Sequence, residues 1–319
     1  MSLMIETRNL TKNYGGGRGV QDLSLDVPER SIFGFIGPNG AGKSTTIKIL
    51  CGLVNQDSGQ AFVNGMEVKP SNHMEIKRVV GYLPDEFGVY EQMSVWEYLD
   101  FFGAAYKIPP KQRTKRIHAV LEITDATHMM DYQVSSLSRG MHQKIGIAKT
   151  MLHDPLLLIL DEPANGLDPH ARIEMRKTIL RLKEMGKTVM LSSHILPELG
   201  MICDLVGIIE KGRLLTRGSV QEITRGLTQD MVIEMIVDSD MKTAADHCQS
   251  FENVHDVTYS GHELRLVFRG ERNKIADLNT HLVKHDVRVV SFKESEVDLE
   301  NVFLSVTGHK DTPASAAAK

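Results

Sequence analysis

The chain contains 319 residues, of which 41% are hydrophobic and 24% are charged. This apolar content can offset the entropy cost of folding, so the composition excludes a chain that is disordered throughout. The 37 basic and 41 acidic residues give a formal net charge of −4, which argues against a protein whose main task is to neutralise DNA phosphates. The length suits one large α/β domain plus a smaller one, or two domains of moderate size.

The cysteines and the apolar runs indicate the cellular compartment in which the chain works. Cys51, Cys203 and Cys248 lie far apart without a CxxC motif, so we expect a reducing compartment and neither a disulfide framework nor a zinc site. The N-terminus, MSLMIETRNL, lacks the basic start and long apolar core of a signal peptide. No apolar run approaches the ~18–20 residues that span a bilayer. The sequence therefore predicts a cytoplasmic chain, and any membrane part must come from another chain.

Short apolar runs alternate with amphipathic stretches over the first part of the chain, which predicts a sheet with crossover helices. Buried strands are predicted at 31–36, 156–160 and 188–192, and a strand that enters a hairpin turn at 205–210. A helix is predicted over 43–53. Residues 94–153 are expected to form a mostly helical insertion that Pro109 and Pro110 interrupt.

A second, more polar pattern begins after Gly218. It predicts the order β-α-β-β-α-β of a split βαβ, ferredoxin-like unit, with a hairpin about residues 260–262. A closing helix is expected over 298–307, capped by Ser295 or Asp298, and a disordered tail over 309–319. The predicted fold is thus an α/β domain over 1–225, with a helical subdomain at about 86–155, and a small C-terminal α+β domain over 226–308.

Residues 37–44, GPNGAGKS, match the pattern GxxxxGK[ST] between a predicted strand and a predicted helix. Glycines let backbone N–H groups turn inward around phosphate oxygens, and the positive end of the helix faces the same anions. Lys43 would supply charge to the β- and γ-phosphates, and the Ser44 hydroxyl would ligate Mg²⁺. A Gly-rich turn without a ligand is the disfavoured alternative. The predicted phosphate-binding residues are Gly37, Pro38, Asn39, Gly40, Ala41, Gly42, Lys43, Ser44 and Thr45.

Asp161 and Glu162 follow the apolar run 156–160. Because the buried strand delivers Asp161 to the edge of the site, we expect Asp161 to hold Mg²⁺ through water. Glu162 is adjacent and suited to activating water, which makes it the candidate general base. The alternative is a solvated acidic loop, which would be the better interpretation only if the Asp-Glu pair were isolated.

Four further stretches occur in an order that resembles the ATP-binding cassette (ABC) family over residues 3–225. The segment 137–141, LSRGM, resembles the signature LSGGQ, 165–168 resembles the D-loop SGLD, and 192–194 resembles the switch-histidine loop. Tyr14 stands where the family has the aromatic residue that stacks on adenine. No NKxD motif stands where a GTPase needs one, which favours ATP. The resemblance implies an ABC-type P-loop NTPase domain that binds ATP and Mg²⁺ and hydrolyses ATP.

The resemblance also implies a head-to-tail homodimer that sandwiches two ATP molecules. Ser138 and the N–H of Gly140, at a helix N-terminus, would contact a γ-phosphate held by the other copy, and Ser138 would also cap that helix. Asp168 belongs to the implied D-loop. His194 would hold the γ-phosphate and order Glu162, so the implied catalytic residues are Glu162 and His194.

Three positions depart from the family pattern. Asp85 replaces a glutamine that touches Mg²⁺, and we expect it to keep a metal contact; the alternative is a solvent-facing acid. Arg139 and Met141 replace the first glycine and the glutamine of the signature. These two changes put the efficiency of hydrolysis in question more than the binding of ATP.

The segment 297–308 resembles the closing segment of ATPase subunits from drug, antibiotic and sodium exporters, whose membrane-spanning subunit is usually a separate chain. The first hypothesis is therefore an exporter ATPase subunit, held at the inner face of the cell membrane by a separate membrane-spanning permease chain. The C-terminal domain would serve dimer contact or regulation. The expected docking side carries the aromatic residues Phe87, Tyr90, Trp96, Tyr98 and Phe101.

The second hypothesis is a soluble ABC ATPase that acts on nucleic acid or ribosomes. The chain has a single GxxxxGK[ST] motif, a short interval from Lys43 to Asp161 and mild acidity. These features disfavour the second hypothesis, so no nucleic-acid partner is expected. The third hypothesis is a kinase that binds phosphate through the same cradle, residues 37–45. It gains no support, because the resemblance of residues 137–141 to the signature and of His194 to the switch histidine would then be coincidence.

Overall fold

The computed structural model describes residues 2–88, 90, 92–195, 199–219, 222–223, 230–271 and 273–294. The chain divides into two compact units, Met1–Val220 and Gln221–Lys319. The closing helix expected over 298–307, its proposed caps and the tail expected over 309–319 lie outside the described residues.

The first unit contains two sheets. Its strands are β1 (Leu3–Asn13), β2 (Gly19–Pro28), β3 (Ile32–Ile36), β4 (Ser58–Val63), β5 (Met66–Glu67), β6 (Val80–Leu83), β7 (Leu157–Asp161), β8 (Thr188–Ser193), β9 (Leu205–Glu210) and β10 (Arg213–Gly218). One sheet has the order β2-β1-β4-β5 and is antiparallel. The other has the order β10-β9-β3-β8-β7-β6, in which only the β9–β10 hairpin is antiparallel.

The six-stranded sheet confirms the predicted buried strands. Every residue of β3, β7 and β8 is buried, as expected for parallel strands with both faces covered. The second predicted strand is shifted by one residue, because Leu156 is exposed and Asp161 still pairs with Ser192. The β9–β10 hairpin is also the predicted one, with Lys211 and Gly212 at positive φ.

Helices of the first unit occupy both stretches predicted to be helical, 43–53 and 94–153, with shorter bounds, whereas the helices His73–Val79 and Pro169–Glu184 were not predicted. In chain order, the helices are α1 (Lys43–Leu50), α2 (His73–Val79), α3 (Val95–Ala105), α4 (Pro110–Ile123), α5 (Arg139–Met151) and α6 (Pro169–Glu184). The helix predicted over 43–53 ends at Leu50, because Gly52 adopts a φ of +63° and its amide bonds to the Ile49 carbonyl.

The predicted helical insertion consists of α3, α4 and α5. A capping box of Ser94 and Glu97 starts α3. Pro110 occupies the first turn of α4, where a missing N–H costs nothing, so the two prolines separate two helices as expected.

The described residues of the second unit include one four-stranded sheet and two helices that pack with it. Their order along the chain is β11 (Asp230–Val237), α7 (Met241–Gln249), β12 (Val254–Ser260), β13 (Glu263–Arg269), α8 (Asn273–Lys284) and β14 (Val289–Glu294). The sheet is antiparallel with strand order β12-β13-β11-β14. Gly261 turns the predicted hairpin at a φ of +59°. Phe268, Leu278 and Leu282 are fully buried in the core of this unit.

Within the part of the chain that the structure describes, every helix is too short or too polar to cross a bilayer.

Candidate nucleotide-binding site

An open cleft of about 310 Å³ lies where β3 and β7 end. This is the edge of a parallel sheet at which ligands of α/β proteins bind. The cleft brings together most of the predicted site residues and adds Arg18 and Gly19. Its lining is Tyr14, Arg18, Gly19, Pro38, Asn39, Gly40, Ala41, Gly42, Lys43, Ser44, Thr45, Asp85, Asp161 and Glu162.

The glycines of the loop between β3 and α1 are required by backbone geometry. Gly42 has a φ of +109°, and a Cβ there would lie 2.6 Å from the Gly19 carbonyl oxygen. A Cβ on Gly37 would lie 2.3 Å from the Ile209 carbonyl oxygen. Gly42 is also the N-cap of α1 and provides no side-chain cap, so the first amides of α1 remain available to an anion.

The Lys43 side chain folds back onto this loop. Its ammonium donates to the carbonyl oxygens of Gly37 at 2.6 Å and Pro38 at 3.3 Å. It also lies 3.2 Å from Oε1 of Glu162, and the two side chains are only 6% and 12% exposed. A triphosphate in the cleft would therefore compete with the Glu162 carboxylate for the same ammonium.

Glu162 also contacts His194, a second basic group. Oε2 of Glu162 lies 2.9 Å from Nδ1 of His194. An ionised carboxylate only accepts hydrogen bonds, so Nδ1 carries a proton in this contact. His194 is more than a third exposed, so its ring remains accessible beside the cleft.

The end of β8 fixes both acids that follow β7. Ser192 Oγ donates to Asp161 Oδ1 at 2.5 Å and accepts from the Glu162 amide at 3.0 Å. Glu162 itself has a φ of +49°, a left-handed conformation that is uncommon for a residue with a side chain. The strained turn is held by Ser192, and it directs the two carboxylates to different partners. The sequence placed Ser192 beside His194 but did not identify this role.

The predicted magnesium ligands meet in the same cleft. Ser44, Asp85 and Asp161 all line it, and they offer one hydroxyl and two carboxylates, the hard oxygen ligands that Mg²⁺ prefers. Asp85 is half-buried, and its Oδ1 accepts from Asn165 Nδ2 at 3.4 Å. A metal role for Asp85 therefore stays a prediction.

The carboxylates at this edge of the sheet raise the pKa values of two neighbouring groups. Burial raises the pKa of Cys51 and of Tyr82 above their usual ranges, and the Asp161 carboxylate raises both further. Asp85 also contributes to the shift of the Tyr82 pKa. A cation bound between these carboxylates would offset the accumulated charge.

Tyr14 lies at the rim of the cleft with 48% of its surface exposed. The Lys12 ammonium sits 5.7 Å from the centre of its ring. Arg18, on the same loop, adds a positive charge that sequence reasoning missed, although an arginine four residues after the aromatic position is a usable signal for a polyphosphate site.

The signature segment does not line the cleft of its own chain. Ser138 caps α5 by accepting from the Met141 amide at 3.3 Å, as expected. Gly140 packs on α6, where a Cβ would lie 2.9 Å from the Cβ of Ala171.

The D-loop segment lies against the signature segment. Asp168 caps α6 by accepting from the Ala171 amide at 2.9 Å and is likewise outside the cleft. The Arg139 guanidinium covers Gly166, where a Cβ would lie 2.7 Å from Cζ. Arg139 thus packs against the D-loop of its own chain, a contact that the sequence did not suggest.

One residue of the expected docking side is in the wrong place. Tyr98 is fully buried with Val95 and Leu99 on the inner face of α3, so its assignment to an exposed docking side is wrong. Tyr90 and Phe101 are exposed and pack edge-to-face with ring centres 5.1 Å apart.

The chain is similar to known proteins of one family. Residues 20–165 match the family described as ABC transporter. The linearmycin resistance ATP-binding protein LnrL of Bacillus subtilis (strain 168) is 32% identical over 307 residues, which cover 96% of this chain and 98% of LnrL. The bacitracin transport ATP-binding protein BcrA of Bacillus licheniformis is 36% identical over 313 residues, covering 97% and 98% of the two chains.

A solved structure described as an ATP-binding subunit of an ABC transporter is 30% identical, with a TM-score of 0.63 over 70% of this chain and 92% of the other. Together with the cleft, these similarities define a P-loop ATPase of the ATP-binding cassette type. The chain belongs to the family of ABC transporter ATP-binding proteins, and it is an ATP-binding, ATP-hydrolysing subunit of such a transporter.

Proposed function

We propose that this chain is the ATPase subunit of an ABC exporter and drives a separate membrane-spanning permease from the inner face of the cell membrane. The observation that carries the proposal is the cleft in which Glu162 lies between Lys43 and His194. The names of LnrL and BcrA, which refer to linearmycin resistance and bacitracin transport, favour outward transport of an antibiotic-like compound.

In this proposal, the cradle of residues 37–45 binds the phosphates of ATP, and Tyr14 stacks on the adenine. When ATP binds, the Lys43 ammonium leaves the Glu162 carboxylate and contacts the phosphate oxygens. Ser44, Asp161 and Asp85 would hold Mg²⁺, which supplies positive charge to the phosphate oxygens. The donor set in the cleft supports this assignment.

Glu162 is the proposed general base. Once the phosphate oxygens pair with the Lys43 ammonium, the Glu162 carboxylate is free to accept a proton from the attacking water. His194 holds the carboxylate in place through Nδ1 and would present its other ring edge to the γ-phosphate. The direct contact of the two side chains supports a shared role.

The sandwich dimer is the second part of the proposal. Ser138 and Gly140 begin α5, so α5 presents a helix N-terminus to an anion, yet neither residue lines the cleft of its own chain. Their position supports contact with the γ-phosphate of a second copy. Asp168 caps α6, and Gly140 packs on the same helix. Asp168 would therefore lie at the same dimer contact. Hydrolysis would remove the shared phosphate and loosen the pair.

The two parts of the chain are proposed to have separate tasks. The ABC domain covers 1–225, with its helical subdomain at about 86–155. We assign 226–308 to a ferredoxin-like accessory domain for dimer contact or regulation. The strand-helix-strand-strand-helix-strand order and the sheet order β12-β13-β11-β14 support this fold. The alternative of a soluble ABC ATPase acting on nucleic acid or ribosomes gains no support from the relatives.

The test is to co-express the tagged chain with a polytopic membrane protein encoded by a neighbouring gene. We expect the two chains to purify together from detergent-solubilised membranes and to hydrolyse ATP. Lys43→Ala should keep the association and lose hydrolysis, because it removes the ammonium that binds phosphate and changes no residue of the expected docking side. Recovery of the tagged chain without a membrane partner would contradict the proposal.

A further inference from the structure

We propose that the second unit contains a binding site for a divalent transition metal, with Zn²⁺ as the representative ion, formed by His247, His281 and His285. One nitrogen from each of the three imidazoles lies within 4.8 Å of the other two. Neutral imidazole is the ligand that zinc, copper and nickel ions share, whereas Mg²⁺ and Ca²⁺ prefer oxygen. The expectation of no zinc site rested on the cysteines and does not bear on this cluster.

The cluster spans two helices. His247 is in the last turn of α7, His281 is in the last turn of α8, and His285 directly follows the end of α8. Residues four apart share one face of a helix, so His281 and His285 project to the same side. Their ring centres are 4.3 Å apart, and the ring centre of His247 lies 4.7 Å from that of His285.

Hydrogen bonding leaves ligand nitrogens available. Nδ1 of His285 lies 2.8 Å from the carbonyl oxygen of His281, which can only accept, so Nδ1 carries the proton. Nε2 of His285 therefore keeps its lone pair. A ring N–H bonded to a backbone carbonyl is also how metal-binding histidines are usually oriented.

His281 contributes a second, independent observation. Its Nε2 is buried and has no hydrogen-bond partner among the described residues. A buried polar nitrogen without a partner is costly, and a bound metal ion would satisfy it. The ring of Phe251 packs against His281 with a centre-to-centre distance of 5.3 Å and provides an apolar wall.

Zinc would need a modest contraction of the cluster. Nitrogen ligands at about 2.0–2.1 Å in a tetrahedral arrangement lie closer together than the 4.8 Å limit of this cluster, so side-chain rotations must accompany binding. Three protein ligands leave a fourth position for water or another ligand. By joining α7 to α8, the ion would also stabilise the helical layer of the second unit.

The test uses the full chain, freed of metal by chelation and dialysis and without nucleotide. Zn²⁺ binding is measured by isothermal titration calorimetry, and stoichiometry by native mass spectrometry. His285→Gln alters an exposed ligand and should leave the fold intact, and His281→Gln alters the buried one. Each change should weaken Zn²⁺ binding by at least about tenfold. His255→Gln, an exposed histidine of β12 outside the cluster, should bind as wild type does.

A second readout guards against misfolded variants. Zn²⁺ should raise the melting temperature of the wild type and of His255→Gln, and raise that of His285→Gln much less. Circular dichroism without metal should be the same for all three proteins. The proposal is overturned if the wild type binds no Zn²⁺ at micromolar concentrations, or if His285→Gln and His281→Gln bind it as tightly as the wild type.

Discussion

Lys43 and Glu162 form a buried ion pair in which Nζ and Oε1 are 3.2 Å apart. One residue belongs to the phosphate cradle and the other follows β7, so the pair joins the part of the site that binds phosphate to the part proposed to activate water. Because phosphate oxygens and the carboxylate compete for one ammonium, ATP binding and release of Glu162 are coupled.

Glu162→Gln removes the proposed base but keeps the shape of the side chain. We expect turnover to fall by roughly 10²–10⁴, the usual contribution of a general base. ATP should bind at least as tightly as to the wild type, because a neutral amide competes less for Lys43. Phosphate release and ATP titration measure the two effects. Glu122→Gln, an exposed residue of α4, is the control and should leave both unchanged. Near-normal hydrolysis by Glu162→Gln would refute the assignment.

His194→Ala should lower turnover because the Glu162 carboxylate loses its Nδ1–H partner. If the histidine acts largely by ordering Glu162, the two changes are not additive. His194→Ala should then reduce the hydrolysis rate strongly in the wild type and much less in Glu162→Gln. A double-mutant cycle of hydrolysis rates measures this coupling. Equal fold-reductions in both backgrounds would show that His194 acts independently of Glu162.

Asp85→Gln tests the proposed metal ligand. The change replaces a carboxylate by an amide, which binds Mg²⁺ less strongly and removes negative charge beside the triphosphate. We expect the Mg²⁺ concentration for half-maximal hydrolysis to shift. Glu86→Gln changes the neighbouring exposed acid and serves as the matched control. If the Mg²⁺ curves of Asp85→Gln and wild type coincide, Asp85 has no metal role.

His153 predicts a pH dependence of stability. Its Nε2 lies 3.1 Å from the Val80 carbonyl oxygen, and its Nδ1 is buried without a hydrogen-bond partner among the described residues. Burial lowers the pKa of His153; the hydrogen bond to Val80 and the Asp154 carboxylate act to raise it, and Lys187 and Arg116 act to lower it.

Because the folded pKa lies below the unfolded value of about 6.5, the unfolded chain binds more protons, and stability is lost as the pH falls below that value. The free energy of unfolding, from denaturant titrations, should therefore decrease from pH 7 to pH 5. His153→Gln should show a weaker decrease, and the exposed His128→Gln should behave as wild type does. Identical pH dependence in His153→Gln and wild type would contradict this prediction.

Local signals in the sequence were sufficient for the buried strands and for the phosphate cradle. The five-residue apolar runs that became β3 and β7 are short, bounded by turns and followed by Gly37 and Asp161, so both strands and their functional ends were predictable. In contrast, the antiparallel sheet β2-β1-β4-β5 was not predicted, because its strands are interrupted by β-bulges and partly exposed.

Contacts between distant segments could not be read from one sequence. The hydrogen bonds of Ser192, the pairing of Asn165 with Asp85 and the packing of Arg139 on Gly166 each depend on how separate elements meet. The histidine cluster shows the same limit: the spacing of His281 and His285 is visible in the sequence, but only the packing of α7 and α8 brings His247 to them.

The central claim is that ATP is held between two copies of this chain, and sedimentation of Glu162→Gln with ATP and Mg²⁺ tests it most directly. We predict a dimer with ATP and a monomer without it. Ser138→Asn keeps the helix cap and should still dimerise. Ser138→Asp also keeps the cap but adds a negative charge facing the γ-phosphate, and it should remain monomeric. A Glu162→Gln protein that binds ATP and stays monomeric at every concentration would contradict the account.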